Sequence, residues 1–148
     1  MTRPRVYFVL LERQEKALHI ARLIEQSFLC SQRILVRVAN DEQAYSLDHY
    51  LWSWKKDSFL PHGVVVSDAH SGEDPIVITT TEINPIKADV LICGSPCSLA
   101  FIDTFELVYD FAETYNELLA DQSRERFRQY RLRGLDPQME SNAVAAEN

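Results

Sequence analysis

The sequence predicts a three-layer α/β/α domain with a mostly parallel sheet, a nucleotide-binding-like topology without a phosphate loop. Three observations predict it. Short apolar runs recur, RVYFVLL (Arg5–Leu11), PIVIT (Pro75–Thr79) and ADVLIC (Ala88–Cys93). Near-continuous runs of this length fit strands buried on both faces. Between the first run and RILVRVA (Arg33–Ala39), the stretch Gln14–Ser31 carries Ala17, Ile20, Ala21, Ile24 and Phe28 at i, i+3, i+4, i+7 and i+11, the apolar stripe of a helix. Strand, helix and strand within about 35 residues make a βαβ unit, with a right-handed crossover and parallel strands.

The remaining elements follow in order. Asn40 or Asp41 caps a second helix that reaches about Ser53, with Glu42 and Gln43 in its first turn. Its apolar positions are Ala44, Leu47, Tyr50 and Leu51, followed by Trp52 and Trp54. Residues 55–74 contain Pro61, Gly63 and Gly72 among polar side chains and read as loop, with a short strand at Val64–Val66. PIVIT and ADVLIC are the next strands. Ser98–Thr104 is a short helical turn and Glu106–Ala112 (ELVYDFA) the last strand. Thr114 to about Arg133 is a long amphipathic helix, ended by Gly134 at a position that favours the left-handed backbone. Residues 1–135 are thus expected to form a single domain. Residues 136–148, small, polar and acidic, are expected to form a flexible tail.

Charge is unevenly placed. The 148 residues hold 15 Lys+Arg and 22 Asp+Glu, a net −7. Arg124–Arg133 alone contains five arginines and one acid, a net +4, which leaves ten bases and 21 acids, −11, on the rest of the chain. Phosphate would meet mostly like charge on such a body, so general nucleic-acid binding is excluded while a local anion site on one helix is not. Stacking platforms for single-stranded DNA are also too few, with only Phe127 and Tyr130 on that helix. No apolar run approaches the roughly 20 residues of a membrane-spanning helix, and Met1–Arg5 leads into a strand rather than a signal peptide. Three cysteines, Cys30, Cys93 and Cys97, have no framework spacing and point to a reducing, cytoplasmic setting.

Catalytic and cofactor signatures are missing. The first βα turn, Leu11–Gln14, has no glycine, whereas a dinucleotide or phosphate loop needs glycines for close backbone approach. An enzyme of nucleotide or phosphate metabolism is the alternative reading of such a fold, and this turn argues against it. Cys93 and Cys97 have no second cysteine pair to complete a metal site. His62, His70, Asp68 and Asp74 share a loop region with nothing to fix a ligand geometry. His19 and His49 fall on helices and read as packing or surface. No nucleophile elbow precedes any serine. No catalytic residue, metal ligand or cofactor is therefore assigned.

Two features remain. Leu51–Trp54 (LWSW) and Ser58–Gly63 (SFLPHG) carry two Trp and a Phe, a payload suited to a partner interface and equally to the interior. The Arg-rich helix places Arg124, Phe127, Arg128 and Arg131 on one face and Arg126, Tyr130 and Arg133 on another. A Phe among guanidiniums suits an acidic peptide with an apolar side chain and a carboxylate, since Arg binds carboxylates bidentately. The bland account is that cations near a helix C-terminus complement its dipole.

At these residues the sequence resembles the chi subunit family of bacterial DNA polymerase III. The resemblance covers most of the chain: RVYFVLL, DEQAYSLDHYLW (Asp41–Trp52), SFLPHG, PIVI (Pro75–Ile78), ADVLI (Ala88–Ile92), F-x-x-V-x-D-F (Phe105–Phe111) and RERFRQYRxxG (Arg124–Gly134), in that order. It implies a DNA replication accessory subunit with no catalytic site of its own. Its partners would be the psi subunit, the clamp-loader complex through psi, and the acidic C-terminal tail of the single-stranded DNA-binding protein. It implies no direct specific DNA binding, no membrane association and no cofactor. By motif, the tail contacts would be Arg124, Phe127, Arg128 and Arg131, with Ala112 lining the same pocket. The psi-binding side would hold Trp52, Phe59, Leu60 and Pro61. Two departures stand out. Phe127 occupies a position where the family can carry Tyr, and Glu113–Gln122 is acidic where the family can have a lysine.

Overall fold

A computed structural model describes residues 3–54, 60–65 and 74–140. Its strands are β1 (Arg5–Leu11), β2 (Ile34–Arg37), β3 (His62–Val65), β4 (Ile76–Thr79), β5 (Val90–Cys93), β6 (Leu107–Glu113) and β7 (Gln138–Glu140). They form one sheet in the order β3-β4-β2-β5-β6-β1-β7, and every neighbouring pair is parallel. The helices are α1 (Lys16–Leu29), α2 (Asp41–Ser53), the single turn α3 (Leu99–Ile102) and α4 (Glu117–Leu132). The expected α/β/α architecture with a parallel sheet is the one observed.

Side-chain alternation along the strands divides the core. Val9, Leu11, Ile34, Val36, Ile76, Ile78, Val90, Ile92 and Phe111 point to one face and pack with Ile20, Ile24, Leu47 and Leu51 of α1 and α2. Val6, Phe8, Leu35, Val77, Leu91, Val108 and Ala112 point to the other and pack with Ile102, Phe105 and Tyr130. Both faces are apolar because both are covered, which is why these strands read as unbroken runs. Burying each such side chain contributes roughly 1.5–3 kcal/mol against exposure.

Local chemistry sets the helix ends. Asn40 is the cap of α2: its side chain accepts from the Gln43 amide at 2.9 Å, and Gln43 Oε1 accepts from the Ala39 amide at 3.0 Å. Ser98 caps α3 and Asn116 caps α4, the latter by accepting from the Leu119 amide. Gly134 follows α4 with φ +88°, the left-handed backbone its missing Cβ permits.

Three expectations are corrected. The tail does not begin at residue 136: Gln138–Glu140 is a strand, with Tyr7 opposite Gln138 and Val9 opposite Glu140. It forms because β1 would otherwise end the sheet with unpaired backbone groups. Helix α4 starts at Glu117 rather than Thr114, since β6 runs on to Glu113 and the Thr114 hydroxyl donates to the Leu11 carbonyl. The short third strand lies at His62–Val65, in register with Ile76–Thr79. Residues 141–148 lie outside the described residues.

Candidate functional site

Helix α4 crosses the second face of the sheet near β6, and its length decides what each arginine does. Arg126 points inward. Its guanidinium donates to both oxygens of Asp110, at 3.0 and 3.3 Å, and to the Phe111 carbonyl at 3.0 Å. Tyr130 donates its hydroxyl to Asp110 Oδ2 at 2.7 Å. Asp110 is 1% exposed, so this carboxylate is stable there only because it is paired and hydrogen-bonded throughout. Burial, and next the Asp110 charge, push the Tyr130 hydroxyl far above the ordinary phenol range, so it stays a donor. Arg133 pairs with Asp103 at the α3 end. These two arginines anchor α4 to the sheet.

The other three face outward over a groove. Phe127 packs edge-on against Phe8, ring centroids 5.2 Å apart. Beside it is a cavity of about 340 Å³, lined by Phe8 and Leu10 of β1, Ala112, Thr114, Ala120, Ser123, Arg124, Phe127 and Met139. A second depression of about 390 Å³ is lined by Arg124, Phe127, Arg128, Arg131 and Leu132. Arg124 and Phe127 line both. The structure thus brings together all five residues singled out on this side, Ala112, Arg124, Phe127, Arg128 and Arg131. The result is an apolar hole with a guanidinium at its rim and a basic, partly apolar path leading from it.

Acids on the same helix hold two of these cations. Arg124 pairs with Asp121. Arg128 makes two bonds to Glu125, at 3.0 and 2.8 Å. The hydrogen bonds from Arg128 and then Gln129 draw the Glu125 carboxyl down to about 2. Both pairs are exposed, so each is weak and exchangeable.

Sequence reasoning missed Phe8, Leu10, Thr114, Ala120, Ser123 and Met139. The signal for Phe8 and Leu10 was available in strand alternation: even-numbered residues of β1 share a face with Ala112 of β6. Met139 had none, because its three-residue strand carries no apolar pattern.

The second group lies at the opposite sheet edge. Trp52, at the end of α2, is 55% exposed, and its ring lies 4.7 Å from that of His62. His62 Nδ1 donates to the Leu60 carbonyl at 2.7 Å, and Nε2 lies 3.0 Å from Asp48 Oδ1. Pro61 is half-buried. Leu60 is 5% exposed and belongs to the core, so its side chain supports this surface rather than facing a partner. Phe59 lies outside the described residues.

The weaker candidates are placed as follows. Cys93 is buried at the end of β5, and contact with Cys97 and then burial raise its thiol well above the ordinary range. His62 is engaged as above, and His70 and Asp68 lie outside the described residues. His19 is buried on α1, and burial lowers its pKa. Among the described residues no group of three or more His, Cys, Asp or Glu could hold a metal ion, and no helix is long and apolar enough to cross a membrane.

Comparison with known proteins adds the following. A family model described as DNA polymerase III chi subunit, HolC, matches residues 1–138. DNA polymerase III subunit chi of Escherichia coli is 26% identical over 117 residues, 79% of each chain. The Pseudomonas aeruginosa subunit chi is 27% identical over 135 residues, 90% of this chain and 92% of that one. Among solved structures, the C-terminal domain of the DEAD-box protein Dbp5 aligns with a TM-score of 0.63 at 12% identity, covering 94% of this chain and 90% of that one. A DEAD box protein from Methanococcus jannaschii gives 0.65 at 12% identity, covering 93% and 41%. At such identities these structures share the fold alone.

Proposed function

From the premise that the chain belongs to the DNA polymerase III chi subunit family, we propose that it is a non-catalytic adaptor. It would hold the acidic C-terminal tail of the single-stranded DNA-binding protein in the α4 groove. The psi subunit, and through it the clamp-loader complex, would sit at the α2–β3 edge. The observation that carries this reading is the apolar cavity with Arg124 at its rim, continued by Arg128 and Arg131. An apolar side chain at the peptide's end fills the cavity, its terminal carboxylate meets Arg124, and upstream acids run along Arg128 and Arg131. For the psi side the support is Trp52, a large aromatic ring half open to solvent, of the kind that dominates interfaces.

The test is titration calorimetry with the tail peptide of the cognate single-stranded DNA-binding protein. Arg124→Ala and Arg128→Ala each weaken binding about twofold to tenfold, as the loss of one charge-assisted contact in solvent does, and neither changes the thermal melt. Binding by both variants as tight as by the unaltered protein would remove the groove from consideration. Trp52→Ala and Phe59→Ala, by contrast, lower recovery of co-expressed psi and leave tail affinity alone.

A further inference from the structure

Helix α2 carries a feature that the Trp52 surface does not exhaust. Tyr45, His49 and Trp52 stand at i, i+4 and i+7, so they lie in one stripe along the helix. All three are exposed, Tyr45 at 58% and Trp52 at 55%. The buried side of the same helix is Ala44, Leu47 and Leu51, which holds it to the sheet, and of the stripe Trp52 also packs on His62. Asp41 and Asp48 flank the stripe on one side and Glu42 on the other, and the 13 residues of α2 include no lysine or arginine.

We infer that this stripe is a docking surface for a basic amphipathic helix of a partner protein. The stripe spans two turns, about 10 Å along the axis, the length over which a partner helix presents two or three apolar side chains on one face. The aromatic rings take that apolar face, and the exposed Asp41 and Glu42 take lysines or arginines beside it, while Asp48 is held by His62 Nε2 at 3.0 Å. An acidic or neutral segment would leave those carboxylates unmatched. The inference rests on the reading that the α2–β3 edge is the psi side, and it adds the chemistry of the segment bound there and the residues that read it. Trp52 is the end of the stripe nearest β3, and its ring is braced from below by His62.

The experiment uses the full chain co-expressed with the cognate psi subunit, and calorimetry of the purified partners at low and high sodium chloride. Tyr45→Ala weakens psi binding about tenfold or more. Binding of the unaltered protein weakens with salt, and Asp41→Asn with Glu42→Gln flattens that salt dependence. Thermal melts of each variant separate lost binding from lost folding, and Tyr45→Phe, which keeps the ring, retains binding. Loss of psi with Trp52→Ala but not with Tyr45→Ala, with no response to salt, overturns the inference and leaves the psi side in place. Full binding by both Trp52→Ala and Tyr45→Ala overturns the inference and the psi side together.

Discussion

Glu125 and Asp121 compete with any acidic ligand for the cations of the groove. Arg128 holds both its bonds to Glu125, and Arg124 pairs with Asp121. A bound carboxylate must displace these contacts or share the guanidinium. Glu125→Gln is therefore expected to tighten binding of the acidic tail by about twofold to fivefold, the range of one exposed ion pair. Calorimetry at fixed salt checks this, and weaker binding by the variant would mean that Glu125 positions Arg128 rather than restraining it. A second residue carries a pH signature. Burial raises the Glu113 carboxyl, but hydrogen bonds from Lys16 Nζ at 2.8 Å and Tyr115 Oη at 2.7 Å outweigh it, so the group lies below its ordinary range. A depressed folded-state value means stability that is present above the unfolded value of about 4.3 and lost as pH falls through the folded one. Glu113→Gln should cost about 1–2 kcal/mol at pH 7, near the low end for bonds to a charged group. The difference should shrink as pH drops below 4 in urea denaturation. A gap that stays constant from pH 7 to 3 would contradict it.

At the scale of elements, the strands and helices that bury a face were legible, because burial writes a period into the sequence. Asn40 with Gln43 marked the start of α2, and Gly134 marked the end of α4, by the chemistry of their caps. What was not legible depends on distant partners. Arg126 and Tyr130 read as a second face of α4, but their partner Asp110 lies on β6, 16 and 20 residues away. The cavity is likewise assembled from β1, β6, α4 and β7, so helical periodicity could place only its α4 wall, Ala120, Ser123, Arg124 and Phe127. β7 is the extreme case: Gln138–Glu140 is a strand because β1 has an open edge, not because of its own pattern. It supplies Met139, half exposed at the cavity rim. Ending the chain after Pro137, which is buried, should therefore leave a folded domain, since the omitted strand adds nothing to the two core clusters, yet weaken tail-peptide binding about threefold to tenfold, on the order of one lost apolar contact. Circular dichroism and the peptide titration together decide it. Unchanged affinity would show that the wall formed by β1, β6 and α4 is sufficient.

Across the whole molecule, the two proposed partner sites lie at opposite ends of the sheet and on opposite faces. The α2–β3 surface belongs to one edge and the α4 groove borders β1 and β7 at the other. Six inter-strand steps of about 4.8 Å separate β3 from β7, roughly 29 Å. That is several times the screening length of about 8 Å at physiological salt, so a charge bound at one site is scarcely felt at the other. Charge is divided in the same way: five arginines sit within Arg124–Arg133, while α2 carries only acids. One surface thus selects an acidic ligand and the other does not, without either needing to sense the other. Tail-peptide affinity should therefore be the same, within about twofold, for the isolated chain and for its complex with psi, because among the described residues the two sites share no strand or helix. Calorimetry on both forms measures the coupling directly. A change beyond about fivefold would require a rearrangement that passes through the sheet, and the Lys16–Glu113 contact that ties α1 to β6 would be the first place to look for it.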